Sequence, residues 1–199
     1  AAYHLAVQLL DFWHRLLAIQ DLSREIKVDP YWRAYRLRGI CLRNSGDLQG
    51  ALADFDKAEE LSSGEASVLV QKAYTLALTG DSTQAVAILD KVDKQSWTRT
   101  DTEICYLRGL IYRECGLDLK ARDSFEQAAG QKLQELYFGA SRVRVARGLA
   151  RLELGRTAEA LSDLRVDLMI SAVDLRYDLS VFPPEIQKKV QDLLSHHRL

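Results

Sequence analysis

A chain of 199 residues with 47% apolar and 28% charged side chains has a globular balance and enough apolar surface for a core, which argues against disorder. The formal net charge is −1, so affinity for nucleic acid or a membrane surface has to come from a local patch and not from an overall basic bias. No run approaches the roughly 20 apolar residues that span a bilayer, and the N-terminus lacks a leader pattern, so the expectation is a soluble, cytoplasmic protein. The chain opens on Ala1 and holds a single methionine, Met169, as a piece excised from a longer protein would. Three Pro and eleven Gly make helix the default, and Cys41, Cys105 and Cys115, without paired spacing, are expected as reduced thiols.

Residues 1–28 contain neither Gly nor Pro and place Leu5, Leu9, Leu10, Trp13, Leu16 and Leu17 at helical spacing. They predict one long helix, or two, stopping near Asp29-Pro30. From there the chain repeats itself. Gly39, Gly46, Ala51, Phe55 and Ala58 become Ala73, Gly80, Ala85, Leu89 and Val92 after a shift of 34. A further 36 gives Gly109, Gly116, Ala121, Phe125 and Ala128, and a further 39 gives Gly148, Gly155, Ala160, Leu164 and a broken last member, Asp167. Constant spacing inside the unit and drifting gaps between units describe a rigid helix pair joined by tolerant loops.

Within the unit, Tyr35, Gly39 and Leu42 share one face of a first helix, and Ala51, Phe55 and Ala58 share one face of a second. Gly46 ends the first helix because glycine tolerates the left-handed conformation of a C-terminal cap, and Asp47 opens the second, where exposed N–H groups favour an acid. Gly39, Ala51 and Ala58 allow close approach while Phe55 fills the space between. After the fourth copy the chain predicts a short helix, a break at Pro183-Pro184, and a terminal helix led by Glu185. Ile186, Val190 and Leu193 or Leu194 lie on one side of that helix, which would cap the apolar face of the last repeat.

Tyr35-x2-Arg38-Gly39-x2-Leu42 with Ala51-x3-Phe55, and Cys105-x2-Arg108-Gly109-x2-Tyr112 with Ala121-x3-Phe125, resemble the tetratricopeptide repeat over about residues 32–168. The resemblance implies an all-α fold, a right-handed superhelical solenoid of antiparallel helix pairs forming a single domain over 1–199. Its parts are an N-terminal helical segment (1–30), repeats at 32–65, 66–99, 102–135 and 141–174, and a C-terminal cap (175–199). The family pattern has Leu before the small residue, whereas this chain has Arg38, Lys72, Arg108 and Arg147. The expectation for these is a packed aliphatic stem with its charge reaching water. The fourth copy also puts Arg144 and Arg151 where large apolar residues belong.

No HExxH, CxxC, GxSxG or phosphate-loop pattern is present, and His4, His14, His196 and His197 fall in terminal segments, so no catalytic residue, metal site or cofactor is expected. Function then has to lie in a surface. The resemblance implies a concave groove lined by the first helices. Residues 31–46 carry a net +4 and residues 47–66 a net −5, which would give the solenoid two electrically distinct surfaces. Arg33, Arg36, Ile40 and Arg43 recur on one helix face, with equivalents Val70 and Tyr74, then Tyr106, Leu110 and Arg113, then Arg142. Arginines mixed with tyrosines and aliphatics suit a peptide with carboxylates at its ends and apolar groups between. The resemblance also raises the Lys/Asn clamp for chaperone tails, but of its places here only Arg36 is compatible, so that specificity is not expected. The leading expectation is a non-enzymatic scaffold binding a peptide or helix of another protein, acidic where it meets the arginines. The alternatives are an assembly or secretion chaperone, motivated by Trp13 and its leucines, and a regulatory interaction module of a larger protein. A pI near 6.5 disfavours nucleic acid. Oligomeric state has no signature in these residues.

Overall fold

The computed structural model describes residues 2–93, 101–131, 140–170, 182 and 184–196; the side chains of 2–14, 93, 140–142, 166–170 and 196 lie outside that description. Among the described residues there are ten helices and no strand. Helix α1 (Ala2–Val28) is continuous, so the segment that allowed one helix or two forms one. The repeats follow as α2 (Trp32–Asn44) with α3 (Leu48–Ser62), α4 (Ala66–Leu78) with α5 (Ser82–Asp93), α6 (Thr102–Glu114) with α7 (Asp118–Ala129), and α8 (Ala140–Glu153) with α9 (Thr157–Ile170). A terminal helix, α10 (Pro184–His196), follows. The short helix expected just before it falls outside the described residues.

Each first helix ends on the same joint. Gly46, Gly80, Gly116 and Gly155 all take positive φ, between 72° and 91°, a region costly for residues with a side chain. The N–H of the next residue reaches back to the last turn, from Asp47 to Leu42 O, Asp81 to Leu76 O, Leu117 to Tyr112 O and Arg156 to Arg151 O, at 2.7–2.9 Å. This is the six-to-one bond of a Schellman cap, and it reverses the chain in a fixed direction four times over. Asp47 and Asp81 then cap the second helices, accepting from Gly50 N at 2.8 Å and Gln84 N at 3.0 Å.

Small residues face large ones inside each pair. A Cβ placed on Gly39 would stand 2.9 Å from Cε1 of Phe55, one on Gly109 would collide with the Phe125 ring, and one on Gly148 would meet Leu164 at 3.2 Å. Pairs pack α2 on α3, α4 on α5, α6 on α7 and α8 on α9, and α1 covers the open side of α2. The first helices also touch in succession, α2 to α4 to α6 to α8, forming a continuous inner wall.

The basic residue before each small residue does not reach for water. Arg38 grips Asp54 with both ends of its fork, Nε to Oδ2 at 2.8 Å and Nη2 to Oδ1 at 2.7 Å, and Arg147 holds Asp163 in the same way. Asp54 and Asp163 are buried, so each carboxylate offers acceptors in a place where a snorkelling guanidinium would leave it unmatched. Arg108 is buried and donates to Gln127 Oε1. Lys72 turns to the preceding repeat instead, meeting Asp56 and Glu59 of α3 at 2.7 Å each. Opposed charges of first and second helices thus join helices at these points; of the four arginines in residues 31–46, Arg38 is drawn onto an acid of the second helix while Arg33 stays exposed. Arg151, the misfit of the fourth copy, has the same use, since its Nη1 shares Asp163 at 2.9 Å.

Candidate functional site

The inner wall is already covered. Helix α10 buries Ile186, Val190 and Leu194, which stand four residues apart and so line one stripe. These join the same apolar cluster as Val70, Tyr74, Tyr106 and Leu110. Phe182, just before the helix, meets the Tyr106 ring edge-on at 5.4 Å between centroids. Polar ties spread along the wall. Asn44 Nδ2 of α2 donates to the Phe182 carbonyl at 3.2 Å, and Tyr74 Oη of α4 donates to Glu185 Oε1 at 3.3 Å. Glu153 of α8 takes Lys189 Nζ at 3.0 Å and Arg113 Nη1 of α6 at 2.9 Å. The terminal helix, together with Phe182, thus reaches all four first helices, where a cap on the last repeat alone was expected. The reason lies in its stripe, which has to be buried, and in the row of apolar side chains presented by the wall.

The residues singled out from the sequence divide into three groups. Val70, Tyr74, Tyr106 and Leu110 are fully buried and come together beneath α10. Arg43 is 4% exposed and anchors the wall at the α2 end: its Nη1 donates to Gln71 Oε1, its Nε to Asn44 Oδ1 at 3.2 Å, and its guanidinium lies 5.2 Å from the Tyr74 ring centroid. Burial lowers its pKa to about 10, still above neutral pH, so it remains charged. Arg113, half-buried, sits at the groove edge on Glu153. The second group is away from this cluster. Arg33 is exposed and stacks on Trp32 at 5.0 Å, Arg36 is half-buried, and Ile40 packs with Ala51 and Phe55 in a separate cluster between α2 and α3. The third is Arg142, whose side chain lies outside the described residues, as do those of His4, His14 and His196, while His197 lies outside them altogether.

Burial pushes the hydroxyls of Tyr74 and Tyr106 well above the ordinary tyrosine range, with nearby Glu185 and Glu153 adding to it. Gln71, Asn44, Glu153, Phe182 and Lys189 were not among the groove residues expected from the sequence, and Glu185 was expected only as the start of the terminal helix. The stripe of α10 announced that something would be covered, but the repeat pattern carries no information on where a non-repeating helix lands. A cavity of about 410 Å³ lies elsewhere, beside Arg108, Tyr112, Lys120 and Gln127 of α6 and α7. No group of acids, histidines and cysteines that could hold a metal occurs among the described residues. Among them also, no helix is long and apolar enough to cross a membrane.

Known proteins align with this architecture. The family model described as "Tetratricopeptide repeat" matches residues 102–133, which are α6 and α7 with their flanks. Tetratricopeptide repeat protein 36 homolog of Drosophila melanogaster is 37% identical over 102 residues, covering 49% of this chain and 54% of that protein. Tetratricopeptide repeat protein 36 of Danio rerio is 36% identical over 95 residues, covering 47% and 51%. The chain spans about half the length of the curated relatives it matches. A thermophilic TPR protein of Thermus thermophilus superposes with a TM-score of 0.57 at 21% identity, over 89% of this chain and 95% of that one, a likeness of fold. Four registered helix pairs turning on four left-handed glycines, with a family match on the third of them, give this chain the architecture of a tetratricopeptide repeat array.

Proposed function

We propose that the chain is a non-enzymatic protein–protein interaction scaffold whose concave groove, walled by α2, α4, α6 and α8, takes a helical segment of a partner protein. A tetratricopeptide fold supports the scaffold role in general. The observation favouring a helix over an extended peptide is the occupant already there: an amphipathic helix whose Ile186, Val190 and Leu194 pack into the apolar wall while Glu185 and Lys189 meet polar groups on either side. Such a groove reads a partner through anchors at helical spacing, with Tyr74 and Tyr106 as stiff aromatic contacts. Three cysteines that form no disulfide accord with a reducing, cytoplasmic setting.

The test uses a photo-crosslinking amino acid in place of Arg113, at the groove edge, with Ala53 of α3 and Ala87 of α5 as exposed controls on the second helices. In native extract, adducts from position 113 mapping to a helical stretch of one partner are expected. Partner adducts confined to the control positions would remove the groove from the function.

A further inference from the structure

We infer that the partner is an amphipathic helix that displaces the chain's own terminal helix, because that helix fits the groove incompletely. The inference rests on the groove function proposed above and specifies its occupant. Two features mark α10 as an imperfect ligand. Its tie to Tyr74 is long, since 3.3 Å lies beyond the usual span of a hydroxyl-to-oxygen bond. More tellingly, the hydroxyl of Tyr106 and Nε2 of Gln71 are buried with no hydrogen-bond partner among the described residues. Tyr106, packed edge-on against Phe182, thus gives the wall beside α10 a donor that its occupant does not use, and Gln71, on the neighbouring first helix, holds a second. An unmatched buried donor costs more than a bond typically gains, so each is a place where a better-matched helix improves on the resident one.

The chemistry of that helix follows from the wall. It carries apolar side chains at i, i+4 and i+8, as Ile186, Val190 and Leu194 do. An acid near its start receives Tyr74, and a Lys or Arg about a turn later replaces Lys189 on Glu153. Between them it offers what α10 lacks, a carboxamide or carboxylate oxygen to accept from Tyr106 or Gln71. The resident helix has the advantage of tethering, which raises its effective concentration, so an incoming helix has to recover that advantage through the added bonds.

Hydrogen exchange on the intact chain and peptide binding to a full-length variant test the idea together. In the wild-type chain, amides of residues 186–195 should exchange at least about 100-fold faster than those of α6, reporting opening of α10 without global unfolding. Tyr106→Phe, which deletes the unmatched hydroxyl and keeps the ring, should slow exchange of α10 several-fold. Full-length I186D/V190D should bind a fluorescein-labelled peptide copying residues 181–197 at least about tenfold more tightly than the wild type, whose groove is filled. Exchange in α10 as slow as in α6, or faster exchange in Tyr106→Phe, would overturn the displaceable helix and leave the groove function standing. Rapid exchange of α10 with no peptide bound by a folded I186D/V190D chain would defeat the groove as a helix receptor, and the inference with it.

Discussion

Gly109 and Gly148 occupy equivalent places, yet their tolerance of a methyl group should differ. Alanine gains about 1 kcal/mol over glycine inside a helix. At Gly148 the added Cβ stands 3.2 Å from Leu164, within reach of a small adjustment, so Gly148→Ala should be near neutral. At Gly109 it strikes the Phe125 ring, and overpacking should outweigh the propensity gain, for a net loss of about 1–2 kcal/mol in urea titration. Equal stabilities would show that the Phe125 ring yields freely. Asp163 gives a second contrast. It serves both Arg147 and Arg151, so Asp163→Ala leaves two partly buried cations facing a void and should cost about 3 kcal/mol. Asp54→Ala, which strands Arg38 alone, should cost about 2 kcal/mol, read in the same titration.

The two groove tyrosines set the alkaline limit of the fold. Burial keeps both hydroxyls protonated in the folded chain well past the open-chain value of 10.0. Above that pH the unfolded chain has released two protons that the folded chain still holds, so the stability they contribute at lower pH is lost as pH rises. Arg43 acts in the opposite sense, since its lowered pKa lets the folded chain release a proton that the unfolded chain keeps. Cys41, its thiol pushed up from 9.0 by burial, acts with the tyrosines, so stability declines as pH rises above about 10. Tyr74→Phe should flatten that decline, and in the parent chain the phenolate absorbance of the buried pair should appear only as α10 opens or the fold is lost. Early, gradual ionisation of all the tyrosines would contradict it.

At the scale of elements, Glu153 is where the wall and the terminal helix are pinned together, its carboxylate 9% exposed between Arg113 and Lys189. Both cations are more than a third open on their outer sides, so solvent screens part of the attraction. Glu153→Gln should loosen α10 modestly, raising its amide exchange about fivefold while α4 and α6 are unchanged. The helix pairs themselves were legible in the sequence because small and large residues alternate at a fixed spacing that only a pair of packed helices explains. Gly46 and its three counterparts were legible for the same reason, since a glycine recurring just past a helical stripe has a backbone cause. The destinations of Arg38, Lys72, Arg108 and Arg147 were not. A basic residue at one helical position has several acids within reach, and which one it meets depends on the angle between helices. The landing place of α10 was hidden for a related reason: its stripe states a need for burial and leaves the surface unspecified.

For the whole molecule, the apolar interior is not one mass. Repeats two to four and α10 share a large cluster, whereas Ile40, Ala51 and Phe55 of the first repeat form their own, with Leu42 against it. Repeat arrays divide into neighbour-coupled units, so the first repeat should open below the global transition. Amides in α3 are expected to exchange at least about tenfold faster than those in α6 under native conditions; identical protection along the array would instead mean a single cooperative unit.

Lys72 adds a consequence for how such an array can be rearranged. Its ammonium bridges Asp56 and Glu59 of the repeat before it, while the carboxylates that Arg38 and Arg147 grip, Asp54 and Asp163, belong to the same repeats as those arginines. If the second unit were transplanted to follow the third, Lys72 would face Glu126 and Ala129 at the corresponding sites and keep a single acid. The units share a shape without being interchangeable parts. Their order is written into the chain by a few ionic addresses, and moving the second unit behind the third would send Lys72 to the wrong one.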